Sequence, residues 1–194
     1  AGNTARCAKC SVFGTPSLDG SQAEYVRVPL ADSTVVRAPD TVPEQALILM
    51  ADIFPTGYYG VKSAVSMAPS TDLSQSTVVV IGCGPVGLCS VVAALHFKPA
   101  RLFAVDSVDS RLQLAREFGA EPLNFQTDRE GMIARIKNVT DGRGADIVVE
   151  AVGMSPALRT AFDILRPFGV ISSIGVHNAE AGKPQRAPSH RIPV

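Results

Sequence analysis

The chain has no net charge: 18 lysines and arginines balance 18 aspartates and glutamates over 194 residues. Without a basic surplus, nucleic acid is not an expected partner. No apolar run approaches the ~18 residues a membrane span needs, and no charged-then-apolar leader opens the sequence. Neither a membrane partner nor a secretion signal is therefore expected. Cysteine is scarce, with Cys7 close to Cys10 and Cys83 close to Cys89. Such usage points to metal binding or plain burial in a cytoplasmic chain, not to a disulfide framework. The three histidines, His96, His177 and His190, match no metal-ligand spacing and read as structural or solvent-exposed. The chain opens on Ala1 rather than methionine, which reads as a fragment or a processed product.

What is present is a globular composition, 46% hydrophobic. Residues 1 to about 42 are rich in turn formers, with short extended runs at 23–28 and 34–38. Pro43 and Glu44 suit the first turn of a buried helix. A second helix is expected after Thr56 and Gly57, ending near Met67. "APSTDLSQS" (68–76) reads as a linker. From Thr77 onward strand and helix alternate: "TVVVI", "RLFAVD", "PLNF", "ADIVVEAVG" and "GVISSIGV" read as strands with helical stretches between them. That alternation predicts an α/β fold, a doubly wound parallel sheet with five visible strands. After His177 the composition predicts a disordered tail.

The first strand of this region ends in "IGCGPVG", a G-x-G-x-x-G turn made by Gly82, Gly84 and Gly87. The first glycine permits the tight turn, the second lets a pyrophosphate approach the backbone, and the third lets helix and strand pack closely. Pro85 opens the helix, and the N–H groups from Val86 onward face the phosphate position with the positive end of the helix dipole. The next strand ends in Asp106, placed to accept hydrogen bonds from an adenosine ribose. A carboxylate there repels a 2′-phosphate and favours NAD over NADP; Arg111 nearby pulls the other way. A similar sheet that binds S-adenosylmethionine, or no ligand, is the alternative.

"LILMADIFPTGYYG" (47–60) poses a separate problem, because Asp52 sits within an apolar run and a lone buried carboxylate is costly. From periodicity alone it reads as a helix-end acid facing water or an arginine.

Taken in order, "LDGSQAEYVRVPLAD", "ADIFPTGYYG", "VVVIGCGPVGL", "VDSVDSRLQLAREFGA", "GADIVVEAVG" and "LRPFGVISSIGV" resemble the zinc-dependent alcohol dehydrogenase family of medium-chain dehydrogenases/reductases. The resemblance covers residues 1 to about 177. It implies a partial GroES-like, β-rich catalytic domain with its linking helices over 1–68, a Rossmann-like dinucleotide domain over 69–177 with five of six strands, and a tail over 178–194. It further implies that Asp52 is a ligand of the catalytic zinc and that Thr56 touches the nicotinamide. Cys7, in "GNTARC", takes the place of the last ligand of a structural zinc lobe, and Cys10 is an extra cysteine. Ala151, Val152 and Gly153, with Ile174, Gly175 and Val176, fall where this family meets the nicotinamide; ordinary strand-end packing would account for them equally. Cys83 and Cys89 are expected as small packed residues.

The remaining ligands of both zincs, the usual proton-relay hydroxyl and a sixth strand find no match in the sequence. The expected function is hydride transfer between a primary or secondary alcohol or polyol and NAD(P), NAD favoured, with zinc in the complete enzyme. The chain alone is expected to be inactive, and the full-length protein to form a homo-oligomer. Two rivals stand beside this reading. One is a non-catalytic dinucleotide-binding protein. The other is a zinc-free quinone or enone reductase of the same superfamily, against which Asp52 and "GNTARC" argue.

Overall fold

A computed structural model describes residues 7–177. The tail expected at 178–194, with His190, lies outside the described residues. The chain divides into two compact units, Ala1–Pro43 and Glu44–Val194. In the first, Thr15 and Leu18 pair across a tight turn and Leu18 is buried. A single turn of helix, α1 (Ala31–Thr34), follows. The runs expected as extended structure at 23–28 and 34–38 form no strand. A strand exists through its ladder, and no such partner is present among the described residues. Thr34 instead closes α1, its hydroxyl donating to the carbonyls of Pro29 and Leu30. Local bonds of this kind compete with extended structure.

The second unit begins with a correction. The segment expected as one buried helix is split into α2 (Glu44–Leu47) and a 3-10 turn (Ile48–Ala51). Neither buries a residue, and Ile48 is 75% exposed. A short helix depends on a packed face for its stability. The next helix, α3 (Ile53–Met67), starts earlier than expected and ends where expected. Pro55 is tolerated because it lies in the first turn, where its missing N–H costs no hydrogen bond. The linker at 68–76 is more than a spacer: Leu73 is 1% exposed, and its carbonyl accepts the N–H groups of Ser76 and Ala100.

The five strands are β1 (Thr77–Ile81), β2 (Arg101–Asp106), β3 (Glu121–Asn124), β4 (Ala145–Glu150) and β5 (Leu165–Ser173). They form one parallel sheet in the order β3-β2-β1-β4-β5. Every residue of β1 is buried, as its β-branched, doubly apolar run requires. Helices α4 (Pro85–His96), α5 (Asp109–Phe118), α6 (Arg129–Asn138) and α7 (Ser155–Ile164) join the strands. Alternate strand residues face opposite layers. Val78, Val80, Ile147 and Val149 pack with α3, α4 and α5; Val79, Ile81, Phe103 and Val148 pack with α6 and α7. This is the doubly wound arrangement the alternation predicts.

β5 differs from its expected bounds. It starts at Leu165, paired with Ala145, and a bulge follows before Val170 pairs with Ile147. Phe168 takes up the bend at φ +58°. Asp146 anchors it, accepting from Arg166 Nε at 2.5 Å and from the N–H of Thr77 at 2.7 Å. The strand stops at Ser173 because the N–H groups of Ile174 and Gly175 both turn to the carbonyl of Glu150.

Leu73 pegs this linker to the layer of α3 and α4. Leu73→Ala in the full-length protein is expected to cost about 2–5 kcal/mol, read as a lower denaturant midpoint. Ser74→Ala, at an exposed neighbouring position, is expected to leave the midpoint within roughly 0.5 kcal/mol of wild type.

Candidate cofactor-binding site

The glycine turn joins β1 to α4 at the carboxyl edge of the sheet. Its three glycines have three different surroundings. Gly82 has φ +90°, and a Cβ there would stand 2.6 Å from Val152 Cγ2. A Cβ on Gly87 would lie 1.7 Å from the carbonyl oxygen of Gly82, so any side chain would force helix and turn apart. A Cβ on Gly84 would meet nothing within 4 Å. Gly84 caps α4 and Pro85 opens it. One glycine thus makes the bend, one permits the packing, and one faces open space at a helix N-terminus.

That open space belongs to a cleft of about 580 Å³ lined by Gly82, Gly84, Asp106, Arg111 and Val152, among others. Asp106 is 6% exposed. Its Oδ2 accepts the Cys83 N–H at 2.7 Å, and its Oδ1 accepts the N–H groups of Ser107 and Val108 at 2.8 and 2.9 Å. Arg111, half exposed, stands 3.9 Å from Oδ2. Asp106 therefore ties β2 to the glycine turn, and a carboxylate's four acceptor positions leave Oδ2 room for a further donor. Cys83, fully buried beside it, has its thiol pKa pushed up to about 12 by burial and by the Asp106 charge. Cys89, on α4, is partly buried, and burial raises its pKa as well.

Thr56 precedes the glycine at which α3 packs on α4, and it does not line the cleft. A Cβ on Gly57 would come within 2.8 Å of the Val86 carbonyl oxygen and 2.9 Å of the Ser90 nitrogen. The absence of a side chain lets α3 lie directly on the first turn of α4. The Thr56 hydroxyl donates to Asp52 Oδ1 at 2.7 Å, and the Thr56 N–H donates to the Asp52 carbonyl. Asp52 is exposed. Its side-chain partner is thus a hydroxyl one helical turn along. Among the described residues no three His, Cys, Asp or Glu side chains converge on a metal-sized site. The described residues alone do not fit a zinc. Cys7 and Cys10 are exposed, and the Cys10 N–H donates to the Cys7 carbonyl. A dinucleotide does fit: the turn leaves room at Gly84, and the cleft runs on from there to Asp106.

Glu150, which the sequence reading did not single out, is the most deeply buried acid of the site, with 0% exposure. Its Oε1 accepts the N–H groups of Val152 and Gly153 at 2.8 and 2.7 Å. Its Oε2 accepts from the Ser173 hydroxyl at 2.7 Å and lies 3.0 Å from His177 Nε2. Burial works against the charged form. The hydrogen bonds from Ser173, Gly153, Val152 and His177 outweigh it and hold the pKa below the ordinary carboxylate value. Its signal in the sequence is the one that marked Asp106, an acid closing a buried strand: "ADIVVE" beside "RLFAVD". The segments 151–153 and 174–176 lie against each other, with Gly175 so close to Gly153 that a Cβ would stand 2.0 Å from its nitrogen.

With fold and turn in place, the comparisons with known proteins agree. The family model described as zinc-binding dehydrogenase matches residues 85–192, and the chain belongs to that family. It is 60% identical over 179 residues to zinc-type alcohol dehydrogenase B of Aspergillus flavus, a match covering 92% of this chain and 42% of that protein. It is 59% identical over 177 residues to a medium chain reductase/dehydrogenase of Acremonium, covering 91% of this chain and 61% of that protein. Among solved structures, alcohol dehydrogenase TADH from Thermus sp. ATN1 superposes with a TM-score of 0.74 at 32% identity, covering 91% of this chain and 47% of that one. The zinc dependent alcohol dehydrogenase 2 of Streptococcus pneumonia superposes with a TM-score of 0.72 at 39% identity, covering 86% and 45%. The chain spans about two fifths to three fifths of the length of these relatives.

Two outcomes are expected from this geometry. Gly87→Ala should cost about 1–3 kcal/mol or more, because its Cβ meets a backbone carbonyl. Gly84→Ala, with an ordinary φ and open space around it, should keep the thermal midpoint of wild type and lose affinity for NADH. Paired melting curves and NADH titrations read both. Glu150 has a lowered pKa, so its carboxylate contributes stability above its ordinary value of 4.5, and that contribution disappears as pH falls through the folded value. Wild type should melt higher than Glu150→Gln at about pH 7, and the gap should narrow as the pH falls below the ordinary value of 4.5.

Proposed function

We propose that these residues belong to an NAD(H)- and zinc-dependent alcohol or polyol dehydrogenase. The observation that carries the reading is the glycine turn: a helix N-terminus with Gly84 facing open space, and Asp106 closing the same cleft. In this reading the pyrophosphate lies against the N–H groups that open α4, where the helix dipole favours negative charge. Asp106 accepts a ribose hydroxyl on Oδ2, and Arg111 covers the same edge. The carboxylate disfavours a 2′-phosphate, so NAD is preferred to NADP. The nicotinamide half extends over 151–153 and 174–176, with Thr56 on the other side.

When bound, a nicotinamide would supply the acceptor for the hydride from the alcohol carbon, with the hydroxyl proton leaving to solvent or a base. This chain's contribution is to bind and orient the cofactor. Zinc enters the proposal through the family and through Asp52. Among the described residues Asp52 accepts the Thr56 hydroxyl on Oδ1 alone, so Oδ2 is available to a metal. Its further ligands, and the partners of Cys7 in a structural zinc site, would come from outside the described residues. We assign residues 1–68 to the catalytic domain and 69–177 to the dinucleotide domain of a cytoplasmic enzyme that assembles as a homo-oligomer. Its substrate is a small alcohol or carbonyl compound. One carboxylate cannot hold a catalytic zinc, so the 194 residues alone are expected to be inactive.

The test is a fluorescence titration of the full-length protein with NADH and NADPH, with zinc measured on the same sample. Binding of NADH roughly tenfold or more tighter than NADPH, equivalent to about 1.4 kcal/mol, together with bound zinc, supports the reading. Preference for NADPH contradicts the assignment of Asp106. A zinc-free protein that still binds NADH contradicts the assignment of Asp52.

A further inference from the structure

Glu150 has no part in the proposed chemistry, yet it is fully buried and makes more hydrogen bonds than any other acid of the site. Its surroundings say what it holds. A dinucleotide whose adenosine end lies at Asp106 on β2 crosses the sheet edge at the glycine turn, between β1 and β4. Its other half then continues over the carboxyl ends of β4 and β5. The backbone there consists of residues 151–153 and 174–176. The two segments touch backbone to backbone: a Cβ on Gly153 would stand 2.5 Å from the Val176 oxygen. No side chain separates them, so hydrogen bonds must set their height above the sheet.

One residue supplies most of these bonds. Glu150 Oε1 takes the N–H groups of Val152 and Gly153, and the Glu150 carbonyl takes those of Ile174 and Gly175. Oε2 takes the hydroxyl of Ser173, the last residue of β5, and faces His177 Nε2 just past Val176. Ser173 Oγ and His177 Nε2 are themselves 2.9 Å apart. A carboxylate only accepts. The arrangement therefore has the Ser173 O–H directed at Oε2, and a proton on Nε2 shared between Oε2 and Ser173 Oγ. The His177 side chain is 35% exposed over a carboxylate with no exposure. It closes the network from the solvent side and pins the segment that follows β5.

We propose that Glu150, Ser173 and His177 form a brace that positions the 151–153 and 174–176 backbone to receive the nicotinamide half of the cofactor. His177 is then a positioning residue, acting through Glu150 and the backbone it holds. The proposal rests on the dinucleotide reading above. It goes beyond that reading by assigning a role to an acid and a histidine that neither bind the adenosine half nor take part in the chemistry.

A role in general stability and a role in positioning predict different losses. The experiment compares NADH with ADP-ribose, which carries the adenosine and pyrophosphate but no nicotinamide. Both are titrated by calorimetry into full-length wild type, His177→Ala and His177→Gln, with a melting curve for each. Truncation at the exposed His177 leaves the fold standing more safely than truncation at Glu150. His177→Ala is expected to weaken NADH roughly tenfold, the loss of one charge-assisted hydrogen bond, and to leave ADP-ribose affinity unchanged. His177→Gln, whose amide N–H can reach the carboxylate, is expected to recover most of the NADH affinity. Equal weakening of both ligands, or no change in either, overturns the brace. Wild type that binds neither NADH nor ADP-ribose overturns the dinucleotide reading, and the brace with it.

Discussion

A carboxylate buried at the end of a strand must find donors, and the donors nearest to it are the N–H groups of the turn that follows. Two acids of this chain are in that position, on either side of the central strand. Asp106 closes β2 and holds the N–H groups of Cys83, Ser107 and Val108. Glu150 closes β4 and holds those of Val152 and Gly153. Leaving such a buried group one hydrogen bond short costs on the order of 1–3 kcal/mol. The satisfied carboxylates are therefore stiff supports. They fix the glycine turn and the β4 segment at the edge where a doubly wound sheet binds its ligands.

The glycines make sense only together with those acids. Cys83 sits between Gly82 and Gly84, and its N–H is given to Asp106, so the turn is held from β2. Val152 touches Gly82 from β4. Gly87 lets the helix start close to the strand, and Gly57 lets α3 lie on that same first turn of α4. The packing runs continuously from α3 through α4 and β1 to β4 and β5. Gly60 extends it, where an added Cβ would stand 2.9 Å from Ile174. Cofactor contacts assigned to residues far apart in sequence thus rest on one connected body within the second unit.

Much of this was legible from periodicity. β1 and β2 stand where their apolar runs put them, and β4 is the first two thirds of its run, because a fully buried parallel strand has few alternative readings. The glycine turn was legible because its spacing has a steric cause, and the position of Asp106 because it closes a buried strand. Glu150 was not, although it closes its strand as Asp106 does. Two of its partners, Ser173 at the end of β5 and His177 in the segment after it, lie more than twenty residues later in the chain, and no local pattern announces a pairing across the sheet. The bulge that starts β5 at Leu165 was likewise hidden, since it depends on Asp146 meeting Arg166. The segment 44–51 shows the opposite failure. Its apolar residues predicted a buried helix, but burial is decided by what covers a face, and Ile48 is exposed. Asp52 gave the right question and an incomplete answer. Its partner among the described residues is the Thr56 hydroxyl, and its role toward a metal stands only as a proposal.

The most direct test of the central claim is amide hydrogen exchange of the full-length protein with and without NADH. The account predicts added protection at the turn from Gly82 to Leu88, at Ser107 and Val108, and in both 151–153 and 174–176. Protection confined to other segments, or none at saturating NADH, would contradict it.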